Sequence, residues 1–124
     1  MARVTGIGGV FVRSPDPAAL AAWYAEHLGL PTQRFGGATF HWADSGPGSC
    51  TWAPFPQDTR YFGPGGQQMM VNFRVDDLDG MVTQLRAAGV EVEDPVADDG
   101  FGRFAWCADP DGNRVELWEP SPGL

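Results

Sequence analysis

Two stretches, "VFVRSPD" (Val10–Asp16) and "VNFRVDD" (Val71–Asp77), decide how this chain is read. They stand 61 residues apart, and Val10/Val71, Arg13/Arg74 and Asp16/Asp77 coincide. Each leads into an apolar-periodic segment that stops at glycine: "PAALAAWYAEHLGL" at Gly29 and "LDGMVTQLRAAGV" at Gly89. Further on, "TWAP" (Thr51–Pro54) is echoed by "LWEP" (Leu117–Pro120) at an offset of 66. Matches in the same order along the chain indicate an internal duplication of about 55 residues.

The local signals agree with two copies of one module. Asp16 is a good N-cap with Pro17 at the first helical position, and Leu20, Trp23, Tyr24 and Leu28 recur at helical spacing. Asp77 or Asp79 caps the second helix, whose stripe is Leu78, Met81, Val82 and Leu85. After each helix come short extended pieces separated by turn residues: "TQRF", "ATFHWA" and "SCTWA" in the first half, "VEVE", "GRFAWCA" and "NRVELWE" in the second. Each half therefore reads strand, helix, three strands. Module one runs from about 1 to 56 and module two from about 67 to 120, as one domain over 1–124. The Pro/Gly-rich "PFPQDTRYFGPGGQ" (Pro54–Gln67) joins them, and its Arg60, Tyr61 and Phe62 are more substantial than a plain spacer needs.

Composition narrows the function classes. A net charge of −8, with no basic stripe, disfavours nucleic acid as a partner. No apolar run reaches the roughly 18 residues of a membrane span, and the first residues show no cleavage pattern, so a cytoplasmic protein is expected. Cys50 and Cys107 form no CxxC pair and read as free thiols.

With "GIGGVFV" (Gly6–Val12) and "LAAWY" (Leu20–Tyr24) at the front, and "FGRFAW" (Phe101–Trp106) and "DPDGNRVELWEP" (Asp109–Pro120) at the back, the duplicated βαβββ module resembles the vicinal oxygen chelate superfamily. That superfamily holds glyoxalase I, bleomycin-binding proteins and extradiol dioxygenases. The resemblance implies an α+β fold in which two tandem βαβββ modules form a curved mixed sheet around a cavity. It also implies pairing into homodimers. In active members a divalent metal sits on residues from the first and last strands of each module. Here those positions fall on Gly9, Met70, Cys50 and Glu116. Glycine supplies no donor and a thioether suits soft monovalent copper, so Glu116 is left as the one good ligand. No tightly bound cofactor is expected; a divalent metal belongs to the alternative reading.

Glu116 lies inside an apolar strand, where it faces either water or a cavity. Alternation puts Arg114, Glu116 and Trp118 on one face, with Val115 and Leu117 on the other. By the same alternation Asn72 and Arg74 come from the facing strand. In the cavity reading Glu116 is the catalytic or anchoring carboxylate. Asn72, Arg74, Trp52, Trp106, Trp118 and His41 are then its ligand-binding companions. His41 read as a packed or surface residue is the alternative for that position. The expected function is a glyoxalase-like protein with a degenerate metal site that binds or transforms a small molecule. The alternatives are a metal-dependent lyase, isomerase or dioxygenase, and a drug-sequestering resistance protein.

Overall fold

The computed structural model describes residues 1–94 and 96–124. Among these residues two α-helices and a four-stranded sheet form: α1 (Pro17–Leu28), β1 (Asn72–Arg74), α2 (Leu78–Ala87), β2 (Ala97–Asp99), β3 (Gly102–Ala108) and β4 (Arg114–Pro120). Both helices begin as their sequences dictate. The Asp16 side chain accepts from Ala19 N at 3.1 Å and that of Asp77 from Gly80 N at 3.0 Å, satisfying amides that the helices leave free. Of the two capping candidates for α2, Asp77 is therefore the cap. At the other ends Gly29 (φ 70°) and Gly89 (φ 80°) take the left-handed conformation that stops each helix. Among the described residues no helix is long and apolar enough to cross a membrane.

The sheet order is β1-β4-β3-β2, with β1 parallel to β4 and the other pairs antiparallel. A strand followed by a helix returns parallel, whereas β3 and β4 are joined by the DPDG turn and so run antiparallel. Its register sets two faces. Phe73, Ala105, Cys107, Val115 and Leu117 point one way; the last four, with Leu78, Val82 and Leu85 of α2, belong to the buried core, and Phe73 packs against it. Each fully buried aliphatic side chain there contributes about 1.5–3 kcal/mol. Trp23, Tyr24 and Leu28 of α1 pack on the same core, so the helix of module one is held by module two. Glu119 on β4 reaches back to accept from Leu78 N at 2.9 Å, fixing α2 against the sheet.

Module two realises its expected plan, with two adjustments. "VEVE" contributes a single bridge, Val92↔Cys107, and Ala97–Asp99 forms the edge strand β2. Module one departs further. Its helix forms, but "TQRF", "ATFHWA" and "SCTWA" do not pair into a sheet. A lone bridge joins Thr32 to Ala38, and Trp42–Asp44 is a 3-10 turn. Among residues 1–60 only Leu20 is buried. The physical reason is the lack of a covering layer: Phe11, Phe35, Phe40, Trp42 and Trp52 are all exposed, and a strand without a ladder partner gains nothing from its propensity.

Candidate functional site

The face of the sheet away from the helices carries Asn72 and Arg74 (β1), Glu116 and Trp118 (β4), and Phe104 and Trp106 (β3). Asn72, Glu116 and Trp106 are direct register partners, so one rung across three strands brings an amide, a carboxylate and an indole together. Glu116 is only 6% exposed. Burying a carboxylate is costly unless its oxygens are bonded, and these are. Asn72 Nδ2 donates to Oε1 at 2.6 Å, Trp106 Nε1 donates to Oε2 at 2.9 Å, and the Tyr61 hydroxyl donates to Oε2 as well. The solvent-facing reading of Glu116 is thereby excluded. Tyr61 comes from the inter-module connection. Burial, then the bond to Glu116, push its phenol up to about 12, so it remains a donor.

Beside this rung the rings of Trp106, Phe104 and Trp118 run nearly parallel, with centroids 6.4 and 6.3 Å apart and interplanar angles of 13° and 14°. Their polar handles are already used. Trp106 N–H is on Glu116, and Trp118 N–H donates to Phe101 O at 3.0 Å. Gly102 makes that second bond possible, because a Cβ there would collide with Glu119 O and the Trp118 indole nitrogen. The row therefore offers π-surface rather than hydrogen bonds. At its Trp106 end the Arg114 guanidinium lies 4.9 Å from the indole centroid and 5.6 Å from that of Tyr61. Two bonds of 2.8 Å to Glu93 hold that guanidinium and lower the Glu93 carboxyl below its usual range.

The sequence-derived candidates divide accordingly. Asn72, Trp106, Glu116 and Trp118 are brought together on one face. Arg74 shares the face, but its guanidinium donates to Ser45 O and Pro47 O, tying down the "DSGPG" turn instead of anchoring beside Glu116. Trp52 (79% exposed) and His41 lie on the unpaired part of module one, and neither bonds to Glu116 among the described residues. Sequence reasoning passed over Phe104, the middle of the row, and Tyr61. The weight of "RYF" in the connection was the available signal for Tyr61. Gln67 was missed too: its amide bonds both the N–H (2.6 Å) and the carbonyl (2.9 Å) of Arg114, clamping the connection to the start of β4.

The donor set does not suit the divalent metal that the family resemblance raises. Both Glu116 oxygens are taken by protein donors, Gly9 has only the Phe11 ring near its missing Cβ, and Cys50 is exposed. Among the described residues no three His, Cys, Asp or Glu side chains gather into a ligand group. Cys107 is no nucleophile candidate either, since burial pushes its thiol up to about 11.

A groove of about 850 Å³ lies elsewhere, between the connection and residues 89–93, with Arg60, Phe62, Val90, Val92 and Arg114 among its walls. We place the candidate site on the aromatic face instead, because there the side chains converge with fixed polar geometry.

Known proteins with a similar chain give the family. TnmS3, an antibiotic-binding protein from Streptomyces sp. CB03234, is 37% identical over 47% of this chain and 46% of its own, with a TM-score of 0.41. A glyoxalase family protein from Enterococcus faecalis is 30% identical over 52% of each chain, with a TM-score of 0.39. The matched region thus spans about half the length of each. TioX from Micromonospora sp. ML1 shares 19% identity over 87% of this chain and 93% of its own, at a TM-score of 0.53, a likeness of fold. No curated protein matches the chain. The family model described as the Glyoxalase/Bleomycin resistance protein/Dioxygenase superfamily matches residues 6–117, and the chain belongs to that superfamily.

Proposed function

We propose that this protein binds a small planar aromatic molecule on the face formed by Trp106, Phe104 and Trp118, without a metal. The observation that carries the reading is the parallel row itself. Three rings, the two indoles among them with their N–H groups already engaged, present π-surface that a flat apolar ligand covers more favourably than water does. Asn72 and Glu116 form the polar border of that surface. Sequestration of an antibiotic is one role of this kind, and we take the protein to act in the cytoplasm, in keeping with two free thiols. Titration with pyrenemethanol, followed by its own fluorescence, tests the reading. Trp118→Ala is expected to weaken binding by about 0.5–1.5 kcal/mol, roughly two- to twelvefold. Unchanged binding in Trp118→Ala and Phe104→Ala overturns it.

A second copy of the chain completes the picture. Among the described residues the outer edge of β1 has no strand beside it, and Val4 and Val10–Val12 are exposed apolar residues without a ladder partner. An open edge and an unpaired apolar run of β-forming residues satisfy each other between two copies. Light scattering at micromolar concentration should give twice 13.4 kDa, and Phe11→Asp should shift it toward one chain. A wild-type monomer under those conditions rules the homodimer out.

A further inference from the structure

The aromatic row ends against a side chain that belongs to no strand. Of the three donors on Glu116, Asn72 and Trp106 are fixed by the sheet register, since both are rung partners of that residue. Tyr61 is different. It is 39% exposed and sits in the connection between modules, where neither helix nor strand holds it. Its ring rests on Phe55 at 5.4 Å and edge-on against Trp106 at 6.2 Å, so it closes the Trp106 end of the row. The clamp of Gln67 on Arg114, and the bond from the Arg114 guanidinium to the Tyr61 carbonyl, aim it there.

All three donors are neutral. The nearby guanidinium of Arg114 is paired with Glu93 and bonded to the Tyr61 carbonyl, and among the described residues no cationic side chain bonds Glu116. A buried carboxylate held only by neutral donors gains from a charged one, because charge-assisted bonds are roughly twice as strong as neutral ones. The pairing with Glu93 offsets the repulsion that Arg114 would otherwise exert on an arriving cation. We propose that Tyr61 is a displaceable plug and that Glu116 behind it docks the protonated amine of a flat aromatic ligand, Tyr61 leaving as the amine arrives.

This proposal rests on the aromatic-face reading and adds the ligand's charge and the residue that gates it. Pyrenemethylamine, protonated near neutral pH, and pyrenemethanol share one flat body and differ in the donor they carry. Wild type is expected to bind the amine at least about tenfold more tightly than the alcohol. Glu116→Gln should erase that preference, leaving the amine bound no more tightly than the alcohol. Tyr61→Phe, which keeps the ring and removes the hydroxyl, should strengthen amine binding roughly tenfold, because no bond to the carboxylate has to break first. Equal affinity for both probes in wild type, or no gain in a folded Tyr61→Phe, overturns the plug and leaves the aromatic face standing. Failure of both probes to bind wild type overturns the aromatic face and the plug together.

Discussion

Module two and module one are written to the same plan, yet one buries a core and the other exposes its strand residues. Leu117 is fully buried, while its repeat mate Thr51 is exposed; Trp118 is half-buried in the row, while Trp52 stands in solvent. Local propensity is not what separates them, since both modules carry capped helices and β-forming segments. The difference is a covering layer. Module two's sheet is covered by α2 and by α1 from module one, whereas among the described residues the strand segments of module one bury no side chain. Similar local signals thus give similar structure only where both segments find something to pack against.

The sharpest break of this comparison is a paired truncation. Leu117→Ala should lower stability by about 2–5 kcal/mol, seen as a lower urea midpoint. Thr51→Ala at the repeat-related position should stay within about 0.5 kcal/mol. Similar costs at the two positions would mean that module one is packed after all.

The next effect tests how α1 is held by the other module. The Tyr24 hydroxyl donates to Asp109 Oδ2 at 2.8 Å, and Asp109, buried in the DPDG turn, also accepts from Asp111 N and Asn113 N. Tyr24→Phe removes this bond between the modules. It should cost about 1–2 kcal/mol, read by the same urea titration; a neutral result would show α1 to be held by its apolar stripe alone.

The tyrosines offer a pH test that sharpens the contrast between the connection and the core. The Tyr61 phenol is raised by burial and by Glu116, and Tyr24 is pushed still higher by burial and by Asp109. A raised folded pKa favours the protonated phenol, so this stability is fully present below the ordinary value of 10.0 and is lost as pH climbs toward about 12. For the partly exposed Tyr61 it amounts to about 1 kcal/mol or less. Ultraviolet titration of the folded protein should show little tyrosinate at pH values where the unfolded chain is half ionised. Tyrosinate appearing at the same pH in both states would mean that Tyr61 does not cover Glu116.

The smallest effect belongs to the rim. Arg114 lowers the Glu93 carboxyl through its hydrogen bonds, so the pair's contribution is present above the ordinary value of 4.5 and fades as pH falls through the lower folded value. Glu93 is half exposed, which limits the gain to about 0.5 kcal/mol and makes it salt-sensitive. Glu93→Gln should flatten the acid limb of the stability profile by that amount. A limb unaltered at low salt would show that the pair contributes nothing.

Much of module two was legible because its signals are local. Asp77 followed by an apolar stripe is a helix start, "DPDG" is a turn, and "NRVELWE" alternates, which alone put Glu116 and Trp118 on the face opposite Val115 and Leu117. The fate of Arg74 was not legible, because its partners, Ser45 O and Pro47 O, lie in the other module and no local pattern links them. Tyr61 was hidden for the same reason: 55 residues separate it from the carboxylate it covers.

By itself the sequence determined both helices with their caps and the superfamily resemblance, since each follows from residue types at fixed spacing. Only the tertiary structure decided that the strand segments of module one go unpaired, that Arg74 serves a turn, and that Glu116 is closed in by Asn72, Trp106 and Tyr61. Those outcomes depend on which surfaces meet. A covering layer and a long-range hydrogen bond are properties of distant residues brought together, which the spacing of neighbours along the chain does not encode.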